Sequence, residues 1–408
     1  MKRDFFINAI GIGAGQMVVL VATPVLARIY SPSEFGEYAA LVAAAGIIGT
    51  IASLRFDVAL PAVPDGDVLP LFRAAMVLPV AVSICVAAAF SVLTNTGKSF
   101  VGMAAVPLTW LVCISALLGA ANVCQAYFVR VGDFKRVAVL KVLQPVIFAL
   151  VALAAVVGLN GALLASWLTV VLVALWRCGF ELLSFDWRRS WQAMKAARKY
   201  PMLSVPVALL DTASLALPLF FIVAAFGNES AGNYSQVQRL LAAPLLLLGI
   251  AASQVFYKHA GDIYRSGAMV EPLMWRVVLS LFGVAIVLVI VTCVAGEPLM
   301  RLILGSRWRT DLSFLLLSVA PVLFRMVVSP VSSVFLITNR LGLGSVWQAA
   351  YFGVTVGVIL FAQGNLGLEG YLLALAITEL CMYVLYLILA IWAVRSHSAC
   401  KKRCTGVC

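Results

Sequence analysis

Apolar residues in this chain come in long runs separated by short polar segments. Twelve runs can be marked, at about 5–27, 36–62, 71–94, 101–129, 137–158, 161–181, 201–226, 231–257, 275–296, 312–337, 343–362 and 368–394. Each is long enough to cross a hydrocarbon layer of ~30 Å at a rise of ~1.5 Å per residue. The pattern predicts an all-α polytopic membrane protein of about twelve transmembrane helices joined by short loops. Proline recurs inside the runs, at Pro24, Pro79, Pro107, Pro145, Pro206, Pro218, Pro244, Pro321 and Pro330. Each removes a backbone hydrogen bond, so bent helices are expected.

Composition supports the pattern. Apolar residues make up 63% of the 408 and charged residues only 11%. A soluble fold of this size needs a polar skin that this chain cannot supply. No long polar stretch stands apart, so no soluble domain is expected. The net charge of +12 would suggest nucleic acid in a soluble protein, but the cations sit at the ends of apolar runs. There they set topology, and no nucleic-acid partner is expected. With the N-terminus inside, 21 Lys and Arg fall on inner segments and 5 on outer ones. This predicts an inner-membrane protein with both termini cytoplasmic. Met1-Lys2-Arg3 and the run behind it read as a retained first helix, not a cleaved signal peptide.

The basic segment at mid-chain divides the chain. The expected organisation is an N-terminal six-helix bundle over 1–181, a basic cytoplasmic linker over 182–200, a C-terminal six-helix bundle over 201–394 and a cytoplasmic tail over 395–408. Residues 185–200 (FDWRRSWQAMKAARKY) suit an amphipathic segment on the inner leaflet, with Trp in the interface and cations over anionic lipid. A plain positive-inside linker explains them as well. A shift of 196 residues sets Gly36 on Gly232 and Tyr38 on Tyr234. It supports a parallel repeat of two six-helix halves. The same shift sets Gly15 opposite Asp211 and Ala43 opposite Arg239, so those charges are specific to the second half. Six of the nine Cys lie inside apolar runs, where they read as packing residues. Cys400, Cys404 and Cys408 lie in the tail with only His397 nearby, which argues against a metal site. No metal or cofactor is expected.

No hydrolytic motif occurs, and neither His259 nor His397 lies in an apolar run. The chain is not expected to be an enzyme. Gly11-Ile-Gly13-Ala-Gly15 resembles part of a dinucleotide fingerprint but lies inside an apolar run with no strand before it, so close helix packing is the better reading. The chemistry left is charge within the membrane. Asp211, Arg239, Arg325 and Glu379 lie roughly 13–20 Å along their helices from the nearer end, at ~1.5 Å per residue. Arg55 and Asp57 lie nearer the inner end of the second run. Ionisable groups at such depth cost about 2.5–3.5 kcal/mol each on insertion scales and are functional by default. One reading pairs Asp211 with Arg239 and Arg325 with Glu379 to lock helices. The other places Arg239, Arg325 and Arg55 around a hydrated anion site, with Asp211, Glu379 and Asp57 as ion-coupling groups. Guanidinium groups suit phosphate oxygens because they donate two parallel hydrogen bonds. Asn122, Gln125, Gln144, Gln236, Gln238, Gln254 and Gln348 either bind sugar hydroxyls or join helices; Gln125 and Gln254 are the candidates carried forward.

Two stretches carry a resemblance. Ala27-Arg-Ile-Tyr-Ser-Pro-Ser-Glu-Phe-Gly-Glu-Tyr38 with Ser53-Leu-Arg-Phe-Asp-Val-Ala-Leu-Pro61 resembles the first hairpin of bacterial polysaccharide-biosynthesis flippases. Lys199-Tyr-Pro201, Leu209-Leu-Asp-Thr212, Ala231-Gly-Asn-Tyr234, Gln238-Arg-Leu240 and Gln254-Val-Phe-Tyr257 agree with it. These proteins are O-antigen-type exporters of the multidrug/oligosaccharidyl-lipid/polysaccharide (MOP) superfamily. The resemblance implies two helical bundles around a central cavity. It also implies movement of an undecaprenyl-pyrophosphate-linked oligosaccharide from the cytoplasmic to the outer leaflet, by alternating access and without a cofactor. Its expected partners are that lipid-linked substrate, membrane lipids, and a polysaccharide polymerase and glycosyltransferases. An ion-coupled drug antiporter on the same scaffold and a scaffold for a polysaccharide assembly complex are the alternatives.

Overall fold

The computed structural model describes residues 2–95, 107–178, 186–266, 268–338 and 340–405. The side chains of Lys2, Arg3, His397, Cys400 and Cys404, all of Cys408, and linker residues 182–185 lie outside the described residues. Among the described residues there is no strand. The helices are α1 (Lys2–Ile29), α2 (Pro32–Ala52), α3 (Phe56–Ala59), α4 (Asp65–Asn95), α5 (Leu108–Val131), α6 (Phe134–Leu153), α7 (Gly158–Cys178), α8 (Trp187–Ala196) and α9 (Lys199–Val237). They continue as α10 (Ala243–Ser266), α11 (Glu271–Val291), α12 (Glu297–Leu304), α13 (Leu312–Val328), α14 (Ser333–Ile337), α15 (Leu341–Ala362) and α16 (Leu368–Thr405). Where they are described, the predicted runs are mainly helical, with turns at 53–55 and 60–62 in the second, at 154–157 in the fifth and at 329–332 in the tenth. Eleven described segments are long and apolar enough to cross a membrane, one of them the continuous stretch Lys199–Leu241. Gly227 breaks that stretch with φ 82° and ψ 171°, a conformation that only glycine adopts readily. This is an all-α polytopic membrane protein. Large apolar side chains such as Val21, Leu172, Leu279 and Val294 face outward, as lipid-facing positions require.

Two compact units result, Met1–Ser235 and Gln236–Cys408. The division falls after the main body of α9, later than the basic linker.

In the first unit α1 packs along α6. Gly11 and Gly15 make this possible. A Cβ on Gly11 would lie 2.8 Å from the Ala138 Cβ, and one on Gly15 would lie 2.8 Å from the Lys141 carbonyl. Gly13 faces open space, so the glycine run is a packing device. The sequence Ser-Pro-Ser-Glu starts α2. Ser31 accepts from the Glu34 amide and Glu34 accepts from the Ser31 amide, a reciprocal capping box with Pro32 at the first turn. Phe56, Leu60, Leu71, Phe72, Val123 and Phe128 form a core in this unit, and Ala193 of α8 and its C-cap Ala197 join it.

Gly36 and Gly232 explain the motif shared by the two turns. A Cβ on Gly36 would lie 1.9 Å from the Asn228 carbonyl, and one on Gly232 would lie 1.7 Å from the Pro32 carbonyl. No side chain fits at either position. The contact is reciprocal, since Asn228 lies 196 residues after Pro32 and Gly232 lies 196 after Gly36.

In the second unit α13 packs on α16 and α11, and α16 also packs on α15. A 3₁₀ turn, Ser329–Ser332, separates α13 from α14. Pro330 sits in its first turn and Pro321 lies inside α13, so the helix bearing Arg325 is interrupted one turn beyond it. Between spans, Arg309 binds both Asp311 and Glu369. Burial alone would raise the Asp311 carboxyl, but Arg309, Ser313 and the Phe314 amide hold it below its ordinary range.

Candidate functional site

Three helices of the second unit bring a buried charge cluster together. Arg325 comes from α13, Tyr351 from α15, and Glu379 and Tyr383 from α16. Arg325 Nε donates to the Tyr383 hydroxyl at 2.9 Å and its Nη2 to the Tyr351 hydroxyl at 3.1 Å. The same Nη2 lies 3.5 Å from Glu379 Oε1. Tyr351 in turn donates to Glu379 Oε1 at 2.5 Å. Glu379 is only 2% exposed, and its Oε2 has no hydrogen-bond partner among the described residues. One carboxylate oxygen therefore neutralises the arginine and the other stands unused, which is unusual for a buried carboxylate.

An aromatic wall backs the cluster. Trp347 stacks on Tyr351 with centroids 5.2 Å apart and planes at 8°. It meets Tyr386 edge-on at 4.6 Å and donates its indole N–H to the Met382 carbonyl at 3.0 Å. These rings exclude water from one side of the ion pair and fix the Tyr351 hydroxyl toward Glu379. Sequence reasoning picked out Arg325 and Glu379 but missed Tyr351, Tyr383, Trp347 and Tyr386. The signal was present. Tyr383 lies four residues after Glu379, and Tyr351 lies four after Trp347, spacings that share a helix face.

The other candidates take part in none of the contacts just described. Arg239 sits half-buried in a π turn, Gln238–Ala242, ahead of α10. In the same turn Gln238 donates to the Ser318 carbonyl of α13 at 2.7 Å. Just before it, Gln236 is 1% exposed, with neither amide atom hydrogen-bonded among the described residues. Gln254 is exposed on α10, Gln125 is half-buried on α5, and Asp211 is exposed on α9. Arg55 follows Leu54 in the left-handed region, with φ of 60° and 49°. Two such non-glycine residues in succession cost of order 1 kcal/mol or more each. Arg55 Nε is buried without a hydrogen-bond partner among the described residues. Asp57 accepts from Ser53 Oγ at 2.6 Å. Gln144 donates to Ser166 at 3.2 Å and so joins two helices.

This polytopic all-α fold is one that membrane transporters of known structure also have. Solved MOP-superfamily structures share that fold over nearly the whole chain. The lipid II flippase MurJ in an inward closed conformation has a TM-score of 0.68 at 11% identity, over 95% of this chain and 87% of that one. A MOP-superfamily transporter from Pyrococcus furiosus gives 0.58 at 14%, over 97% and 96%. An inward-facing multidrug-resistance MATE-family transporter gives 0.58 at 15%, over 97% and 99%. No curated protein sequence matches. Residues 25–312 match the polysaccharide biosynthesis protein family, and the chain belongs to that family.

Proposed function

We propose that the protein is a flippase that carries undecaprenyl-pyrophosphate-linked oligosaccharide from the cytoplasmic to the outer leaflet of a bacterial inner membrane. It would work by alternating access about a site near mid-membrane, with both termini cytoplasmic. Membership of a polysaccharide biosynthesis family supports the substrate class, and the MOP fold supports alternating access. The observation that carries the site is the Arg325–Tyr351–Glu379 cluster.

In this reading Arg325 is the anion-binding group and Glu379 is its resident counter-ion. Protonating Glu379 removes the counter-charge and leaves Arg325 to a phosphate oxygen of the substrate. Losing that proton restores the pair and expels the phosphate. A guanidinium charge is compensated in both states, which matters because an uncompensated charge in the membrane costs several kcal/mol. Tyr351 and Tyr383 hold the guanidinium in place during the exchange. Arg239 and Arg55 are further anion-binding positions, Gln125 and Gln254 are glycan-binding positions, and Asp211 and Asp57 are further ion-coupling positions.

The test is transbilayer movement of lipid-linked oligosaccharide in proteoliposomes. Arg325→Ala should slow it by roughly tenfold or more, the loss of one charge-assisted bidentate contact. Glu379→Gln should retain substrate binding but lose dependence on a proton gradient. Wild-type rates in Arg325→Ala would overturn the assignment of the site. No movement catalysed by the wild-type protein would overturn the function.

A further inference from the structure

A cavity of about 390 Å³ lies in the first unit between the beginnings of α4 and α8. Gly66, Leu69, Pro70 and Arg73 form one wall, and Asp186, Arg189 and Ser190 form the other. The volume falls in the range of small-ligand sites, ~300–1,000 Å³. Two guanidinium side chains and one carboxylate line it. That carboxylate is largely committed. Asp186 accepts from the amides of Arg188 and Arg189 at 3.0 and 3.2 Å as the cap of α8, and it pairs with Arg189 at 3.5 Å. Ser190 adds an independent indication. It is 1% exposed, and its hydroxyl has no hydrogen-bond partner among the described residues. Buried hydroxyls almost always have one.

The helix beside the cavity sets its depth. Ser190, Ala193 and Ala197 face the protein, and α8 packs on α4. Trp187 and Trp191 stack 6.1 Å apart and are 61% and 56% exposed. A short amphipathic helix with exposed Trp rings and many cations lies in the membrane interface, with its rings at headgroup level. The cavity mouth then opens at that level too.

We infer that this cavity binds the phosphate of an anionic membrane lipid, with Arg73 and Arg189 as the anion-binding groups and the Ser190 hydroxyl as a donor. That the lipid belongs to the cytoplasmic leaflet rests on the orientation proposed above; the site itself does not. A soluble phosphate ester shares the chemistry, so the experiment separates the two. Native mass spectrometry of the full-length protein in neutral detergent would follow binding of phosphatidylglycerol, phosphatidylcholine and glycerol phosphate. Phosphatidylglycerol should bind more tightly than phosphatidylcholine. Arg189→Gln should weaken phosphatidylglycerol binding about fivefold, the worth of one basic residue beside anionic lipid. Lys195→Gln, an exposed cation on the same helix outside the cavity, should leave binding within about twofold if the effect is local rather than a diffuse field. Asp186→Asn, which can still cap α8, should tighten binding. Equal weakening by Arg189→Gln and Lys195→Gln would overturn the site. So would displacement of the lipid by an equal concentration of glycerol phosphate, or the absence of any headgroup preference. None of these readouts depends on transport, so the site can fail while the flippase reading stands, and the reverse.

Discussion

At the scale of single residues, the main feature is that Arg325 and Glu379 were legible and their partners were not. A charge within an apolar run stands out because it is expensive there. A tyrosine does not stand out, because its ring belongs in a membrane helix whether or not its hydroxyl has work to do. The hydroxyls of Tyr351 and Tyr383 become meaningful only once α13, α15 and α16 are packed. The pair also sets a coupling that can be measured. Removing one partner of a buried ion pair typically costs about 3–5 kcal/mol, because the other is left uncompensated, whereas replacing both with apolar groups is often nearly neutral. Arg325→Met and Glu379→Leu should each lower the unfolding midpoint in detergent. The double variant should be at least as stable as the better single. Strict additivity in that thermodynamic cycle would show that the two residues do not act together.

At the scale of elements, the apolar runs located the helices, and the interruptions were harder to read. The break at Gly227 sits in a polar turn that the sequence marked. The break at Ser53–Arg55 inside the second run did not show, because Leu54 and Arg55 adopt a left-handed backbone that nothing in their side chains favours. The capping box at Ser31–Glu34 was readable from spacing alone. Glycines give the sharpest test at this scale. Gly36→Ala and Gly232→Ala each place a methyl within 2 Å of a carbonyl oxygen. Each should destabilise the protein by about 1–3 kcal/mol or more, the cost of overpacking a tight contact. Gly13→Ala meets nothing within 4 Å and should be neutral, or stabilising by up to about 1 kcal/mol through helix propensity. Thermal unfolding monitored by tryptophan fluorescence separates the two classes. Equal effects at all three positions would mean that the close approach does not hold in the membrane.

For the whole molecule, the excess of basic residues on alternate loops predicts an orientation that can be checked directly. In a cysteine-free background, Asn365→Cys, in the exposed turn between α15 and α16, should react with an impermeant maleimide in intact cells. Gln192→Cys, exposed on α8, should react only after the membrane is opened. The reverse pattern would invert the topology and move the cavity beside α8 to the outer leaflet. Composition and run length were enough to read the class of fold, because lipid leaves a chain few ways to satisfy its backbone. The compact units meet at Ser235. That boundary depends on where the end of α9 packs, and only tertiary contact decides that.

The crossing of Gly36 with Asn228 and of Gly232 with Pro32 has a consequence of another kind. A contact in which each partner meets its counterpart's equivalent is the contact two identical subunits make across a two-fold axis. The chain meets itself there as two subunits of a dimer would. Within one chain each side of such a contact is free to change alone. The two turns have little more than a glycine and a tyrosine in common, and the crossing itself constrains the glycine. Elsewhere the 196-residue shift pairs unlike residues: Asp211 with Gly15, and Arg239 with Ala43. A symmetric dimer would have to carry each such charge twice.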